Sequence, residues 1–210
     1  MIILYLLIPT LMIVLGLTVF QHVLLTFLLF YGWFTLLIFR RWQRGWRPAF
    51  HLTGSGWWVG IGSGVFFGST VFVSMWLLQE QLFDKEQLDM LLANWGFSGA
   101  SVYGLIAVLL LINPVLEELY WRGTIHEQLR SRLSCFQTIV LTSCFYSLYH
   151  FFSIIPLVLW PFTVLCMIAV FVAGCFWGYI RERTGSVTVS IVSHALADAG
   201  IMGVYWFFLR

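Results

Sequence analysis

Seven apolar stretches divide the sequence, at about residues 1–19, 22–39, 57–78, 99–120, 136–155, 157–180 and 187–208. Each is close to the roughly 20 residues a helix needs to cross the hydrocarbon layer of a bilayer. Hydrophobic residues make up 60% of the 210 and charged residues 10%, against about 25% charged in a typical soluble domain. A water-exposed fold cannot hide that much apolar surface. A bundle of membrane helices can, because each helix satisfies its own backbone polar groups inside the lipid. The chain is therefore expected to be all-α, a polytopic integral membrane bundle of about seven transmembrane helices. The opening MIILYLLIPTLMIVLG has no positive start or small-residue cleavage site and reads as a retained first span, not a secretory signal. Only Phe20, Gln21 and His22 separate it from the second span.

The charges lie in the joints. Arg40, Arg41, Arg44 and Arg47 follow the second stretch, Arg122, Arg130 and Arg132 the fourth, and Arg181 and Arg183 the sixth. Between the third and fourth come Glu80, Asp84, Glu86 and Asp89 against a single lysine, Lys85. With seven crossings the three basic joints share one side and the acidic joint takes the other. The positive-inside rule puts the basic side in the cytoplasm. The acidic joint, DKEQLDMLLANWG, reads as a solvated connector in preference to a short surface helix. Trp42, Trp46, Trp57, Trp95, Trp160 and Trp206 stand at segment edges, as an interfacial aromatic belt requires. Gly56, Gly60, Gly64 and Gly68 recur every fourth residue, a face on which two membrane helices can approach closely. Cys135, Cys144, Cys166 and Cys175 form no CxxC pair and read as small buried hydrophobes.

Against this background a few ionisable residues fall inside the apolar stretches or, for Arg122, one helical turn past Glu118: Glu117, Glu118, Arg122, His150, His194 and Asp198. Such residues are costly in lipid and mark functional sites by default. His22, His51 and His126 fall in joints or at segment ends and read as solvated. If the fourth helix runs on to Arg130, Glu117 lies roughly 20 Å inside it, and His150 lies about 21 Å into the fifth stretch. His194 and Asp198 lie about 10 and 16 Å into the last. The groups can meet in one layer. Glu118 and Arg122 are four apart and share a helix face, so they can pair. Glu117 is turned about 100° away and is left for other work. His194 and Asp198 are also four apart.

Glutamate and histidine on separate helices suffice to hydrolyse an amide without a metal or a nucleophilic side chain. A desolvated carboxylate takes a proton from water, a neutral imidazole holds that water, and a second imidazole donates to the oxyanion as it forms. Asp198 either donates to the oxyanion in protonated form or orients His194 by accepting its ring hydrogen, and the orienting role is preferred. Two other readings stand beside this one. Glu117, His150 and His194 could form a two-histidine, one-carboxylate zinc site, although the sequence has no HExxH and 126-HEQLR-130 ends in arginine. Buried glutamate and histidine also serve proton-coupled transporters, but no inverted repeat is visible. A serine or aspartyl intramembrane protease lacks its motif here.

The same residues resemble a known family. Glu117-Glu118-x-x-x-Arg122 is similar to the EExxxR motif of the CPBP (CAAX protease and bacteriocin-processing; ABI or Rce1-like) glutamic-type intramembrane proteases. The second motif, FxxxH, reads here 146-YSLYH-150, with Tyr146 at the phenylalanine position, and the third, His followed four residues later by Asn or Asp, reads 194-HALAD-198. Order and spacing agree over about residues 113–200. The resemblance implies an endopeptidase with a cavity open to the cytoplasm. In it Glu117 activates water that His150 shares, and His194 with Asp198 forms the oxyanion site. Glu118, Arg122 and Tyr146 support them, and no metal or cofactor takes part. The length reads as one membrane domain, 1–210, in which helices of 1–98 precede a core at 99–210 carrying the motifs. The expected partners are the lipid bilayer and a membrane-anchored or lipidated peptide or protein substrate, with no nucleic acid. The compact size favours a prokaryotic inner membrane, and a catalytically silent immunity protein on the same fold is the non-enzymatic alternative.

Overall fold

The computed structural model of the protein describes residues 2–51, 54–95 and 99–209. Among them six helices are long and apolar enough to cross a membrane: α1 (Ile2–Val19), α2 (Val23–Gln43), α3 (Gly54–Leu77), α5 (Ser101–Arg130), α7 (Phe162–Thr184) and α8 (Thr188–Phe208). A seventh, α6 (Cys135–Ile154), has the length of a span but more polar residues. Its polar side chains explain the difference, since Thr138, Thr142, Ser143 and Ser147 are buried in the bundle rather than turned to lipid. The protein is an all-helical integral membrane bundle.

Local chemistry sets the helix ends. The His22 side chain accepts a hydrogen bond from the Leu25 amide and caps α2. Ser134 and Gln137 form a reciprocal capping box at the start of α6. Gly185, at φ 68°, closes α7 in the left-handed conformation that favours glycine. The segment expected to be a connector is instead a helix, α4 (Lys85–Asn94). Asp84 caps it by accepting from the Gln87 amide at 3.1 Å, and Leu88 is buried as its anchor. Capping plus one apolar anchor outweighs the polar composition on which the connector reading rested.

α5 is the longest helix and is not uniform. It has wide, π-type turns at Val108–Ile112 and Leu119–Ile125, with Asn113–Glu118 between them. Pro114 has no amide hydrogen and its ring crowds the carbonyl four residues earlier; the first wide turn lies where that crowding falls. The second follows Glu118 directly and runs through Arg122, and such turns occur frequently at functional sites.

The glycine face of α3 packs on α8. A Cβ on Gly64 would stand 2.8 Å from the Ser193 carbonyl oxygen, and one on Gly68 would stand 2.5 Å from that of Leu196. That close approach seats the helix that carries His194 and Asp198. α6 packs on α7 and on α1, and α5 lies against α2 and α8. An aromatic layer fills the centre: Phe34 stacks on Tyr120 at 4.1 Å and Trp121 on Tyr149 at 6.0 Å between ring centroids. Outside, Leu24, Leu28, Phe66, Phe136, Leu165 and Val172 are exposed, as lipid-facing positions are free to be. The cysteines follow the same logic. All four are free, none is buried, and Cys144 is exposed, which corrects their reading as core residues. Lipid is as apolar as a core, so a small apolar side chain needs no interior position.

The three basic joints meet at one end of the bundle. Arg41 reaches Glu127 at 3.6 Å, Arg130 reaches Glu182 at 2.6 Å, and the Val187 amide donates to the Ala49 carbonyl at 3.1 Å. At the other end the Leu159 amide donates to Leu82, and Leu88 packs with Val204. His126, expected to be solvated, is 3% exposed and bonded to Glu182 at 2.7 Å. The continuation of α5 to Arg130 places it on a helix packed against α7, not in a loop. His22 and His51 are exposed, although the His51 ring also lies 3.1 Å from the Thr184 carbonyl.

Candidate active site

Glu117 and Glu118 stand near the middle of α5, both at most 2% exposed. One helical turn on, the Arg122 guanidinium donates to Glu118 Oε1 at 2.9 Å and to the Gly174 carbonyl of α7 at 3.0 Å. A Cβ on Gly174 would lie 3.3 Å from that guanidinium, so glycine lets the arginine reach the backbone. Arg122 also lies 4.5 Å from the Tyr146 ring centroid and 5.3 Å from that of Trp177. Ion pair, carbonyl and aromatic faces together compensate a charge that would otherwise be prohibitive at this depth.

Glu118 does a second job. Its Oε1 lies 3.1 Å from His194 Nδ1. A carboxylate already paired with arginine accepts, so Nδ1 carries hydrogen and donates to it. The His194 ring is stacked on Trp177, 4.2 Å between centroids at 18°, and the Trp177 indole N–H donates to Ser193 Oγ at 3.0 Å. The imidazole is thus fixed on one edge and one face. Its other nitrogen, Nε2, meets three oxygens: the Tyr146 hydroxyl at 3.4 Å, Asp198 Oδ2 at 3.5 Å and Glu117 Oε2 at 3.9 Å.

Two carboxylates therefore face His194 from opposite edges. The carboxylate that orients His194 through Nδ1 is Glu118, on another helix. Asp198, four residues along the same helix, reaches only the Nε2 edge. A helical i,i+4 neighbour shares the face but does not choose the nitrogen, and Glu118 arrives from the opposite edge.

Glu117 Oε2 and the Tyr149 hydroxyl are both buried, and the two side chains lie against one another. His150, half-buried on α6, lies within 2.9 Å of the Tyr146 carbonyl through Nδ1. A carbonyl only accepts, so Nδ1 holds the hydrogen and Nε2 of the neutral ring keeps its lone pair. The His150 ring packs on Tyr146 and Tyr149, 4.5 and 4.3 Å between centroids. Glu117, Glu118, Arg122, Tyr146, His194 and Asp198 therefore form one directly contacting cluster. His150 joins it through the two tyrosines, and no ion-pair contact within 4 Å ties it to Glu117. Among the described residues no group of three His, Cys, Asp or Glu side chains is arranged to hold a metal ion, so Glu117, His150 and His194 do not form the ligand set that the zinc reading needs.

The cluster recruits residues that motif spacing does not reveal. Asn113, one turn before Glu117, donates from Nδ2 to Asp198 Oδ2 at 3.5 Å and accepts from the Tyr31 hydroxyl of α2 at 3.0 Å. Trp177 and Ser193 pin His194 as described. The i,i+4 relation of Asn113 to Glu117 is a signal the sequence offers. Tyr31 and Trp177 offer none, because their approach depends on packing of distant helices.

No curated protein and no solved structure matches the chain. Residues 99–200 match the family described as Type II CAAX prenyl endopeptidase Rce1-like. That span starts just before α5, ends inside α8, and contains the EExxxR, YSLYH and HALAD segments together with Asn113, Trp177 and Ser193. The part of the protein that builds this buried cluster is thus the part that is similar to the Rce1-like type II CAAX prenyl endopeptidases.

Proposed function

We propose that the protein is a glutamic-type intramembrane endopeptidase that hydrolyses a peptide bond in a membrane-embedded or lipidated peptide. The observation that carries this reading is the Glu117 carboxylate, buried against Tyr149, with Oε2 3.9 Å from the Nε2 of a histidine whose other nitrogen is already held. Glu117 takes a proton from water as the oxygen attacks the carbonyl carbon. The His150 lone pair at Nε2 accepts a hydrogen bond from the other water hydrogen, which stays on the attacking oxygen. His194 acts as the imidazolium beside the Glu117, Glu118 and Asp198 carboxylates, donating from Nδ1 to Glu118 and from Nε2 toward the oxyanion with the Tyr146 hydroxyl beside it. Glu117 then passes its proton to the leaving amine, which closes the proton balance without a covalent enzyme intermediate. Glu118 and Arg122 hold the frame.

The Rce1-like match favours a prenylated or otherwise lipid-anchored substrate entering from the bilayer or the cytoplasmic face. The arginine-rich end of the bundle is assigned to the cytoplasm, and the compact chain to a prokaryotic inner membrane. The test is cleavage of a quenched fluorescent, farnesylated peptide by purified protein in detergent. Glu117→Gln, nearly isosteric, lowers turnover by about 10²–10⁴-fold, the range for loss of a general base, with unchanged thermal unfolding. Chelators leave the rate alone. Activity lost with EDTA and restored by zinc, or equal cleavage by the Gln variant, overturns the reading.

A further inference from the structure

We propose that Tyr31 and Asn113 are positioning residues of this site, acting through Asp198, so that α2 is part of the working machinery and not only scaffold. The inference rests on the hydrolytic reading above and explains what Asp198 does in it.

The chain of contacts has a direction. A tyrosine hydroxyl at 3.0 Å from Asn113 Oδ1 donates, because an amide oxygen only accepts. That fixes which way the amide faces, and its NH2 points at Asp198 Oδ2, 3.5 Å away. The same Oδ2 lies 3.5 Å from His194 Nε2. One carboxylate oxygen therefore sits between an amide donor and the imidazole. Asn113 is 8% exposed and the Asp198 side chain 17%, so bulk water competes little for either.

The consequence is chemical. An oxygen that accepts from Asn113 serves as an acceptor toward His194 as well, which keeps the hydrogen of this edge on Nε2 rather than on Asp198. His194 Nε2, and not the Asp198 carboxyl, is then the donor to a developing oxyanion. Asn113 also shares the Glu117 face of α5 one turn away, so its amide meets Asp198 on the side of the imidazole that Glu117 also faces. Tyr31 comes from an element outside residues 99–200, where the family match lies. It completes from the N-terminal helices an arrangement the matched core does not close by itself.

The experiment uses the full-length protein and the same farnesylated quenched peptide. Tyr31→Phe and Asn113→Leu lower kcat, the latter by at least about tenfold, while KM stays within about twofold, the pattern of misplaced transition-state groups. Asn113→Asp alone sets a second carboxylate against Asp198 and inactivates. The exchange variant, Asn113→Asp with Asp198→Asn, rebuilds the amide–carboxylate contact in reverse. It recovers kcat to within a few-fold of the parent (about one RT-scale step in barrier), which a merely structural role for either residue does not predict. Circular dichroism melts in detergent separate folding defects from kinetic ones. Wild-type kcat in both Tyr31→Phe and Asn113→Leu, or an exchange variant as inactive as Asn113→Asp, overturns the inference while the hydrolytic reading survives. If the parent and Glu117→Gln treat the peptide alike, the hydrolytic reading itself has failed.

Discussion

Arg122 is the residue on which the buried charges depend. It is 1% exposed, pairs with Glu118 and reaches across to α7. Removing one partner of a buried ion pair strands the other, at a cost of about 3–5 kcal/mol. Arg122→Ala is expected to lower stability by that amount, whereas Glu118→Gln keeps an acceptor for both Arg122 and His194 and costs less. Denaturant or thermal titration of the two variants in one detergent checks the order. Tyr146→Phe is the complementary case. It keeps the ring beneath Arg122 and deletes the hydroxyl 3.4 Å from His194 Nε2. Stability should change little, and turnover should fall by up to about 10²-fold if the hydroxyl assists the oxyanion. Unchanged turnover would restrict Tyr146 to packing.

At the scale of elements, the α3–α8 contact decides where His194 sits. Gly64 faces the Ser193 backbone and side chains cannot be inserted there without pushing α8 away. Gly64→Leu should destabilise by about 1–3 kcal/mol as an overpacked contact. It should also reduce activity, because Ser193 adjoins His194 and a shift of about 1 Å can cost 10²-fold. Gly62→Leu is the control: a Cβ there meets nothing within 4 Å, so stability and activity should be retained. Equal damage at both positions would mean that helix propensity, not the interface, governs. The glycine spacing announced this face in the sequence. Its partner could not be read, because which helix fills a small-residue groove depends on the whole bundle.

For the whole molecule, the joints make a testable statement about sidedness. The contacts of Arg41 with Glu127 and of Arg130 with Glu182 gather the basic joints at one end, while α4 belongs to the other. Single cysteines placed at Gly45 and at Glu86 in a cysteine-free background should label from opposite faces of sealed vesicles, with Gly45 on the cytoplasmic side. Labelling of both from one face would break the seven-crossing topology.

The number and rough limits of the spans were legible because twenty apolar residues have few other uses. The depth of Glu117, His150 and His194 and the pairing of Glu118 with Arg122 followed from rise per residue and from a local i,i+4 relation. Helix α4 and the burial of His126 were not legible, since capping and the extension of α5 outweighed composition. The sequence by itself therefore determined a membrane bundle with a few ionisable groups at one depth and their local pairs, because helical periodicity is fixed by the backbone. Only the tertiary structure decided that Glu118 rather than Asp198 holds His194 Nδ1, that Tyr31 reaches Asn113, and that His150 stands behind two tyrosines. Those facts depend on how helices far apart in sequence rotate against one another, and the rotation is set by packing that no single segment encodes.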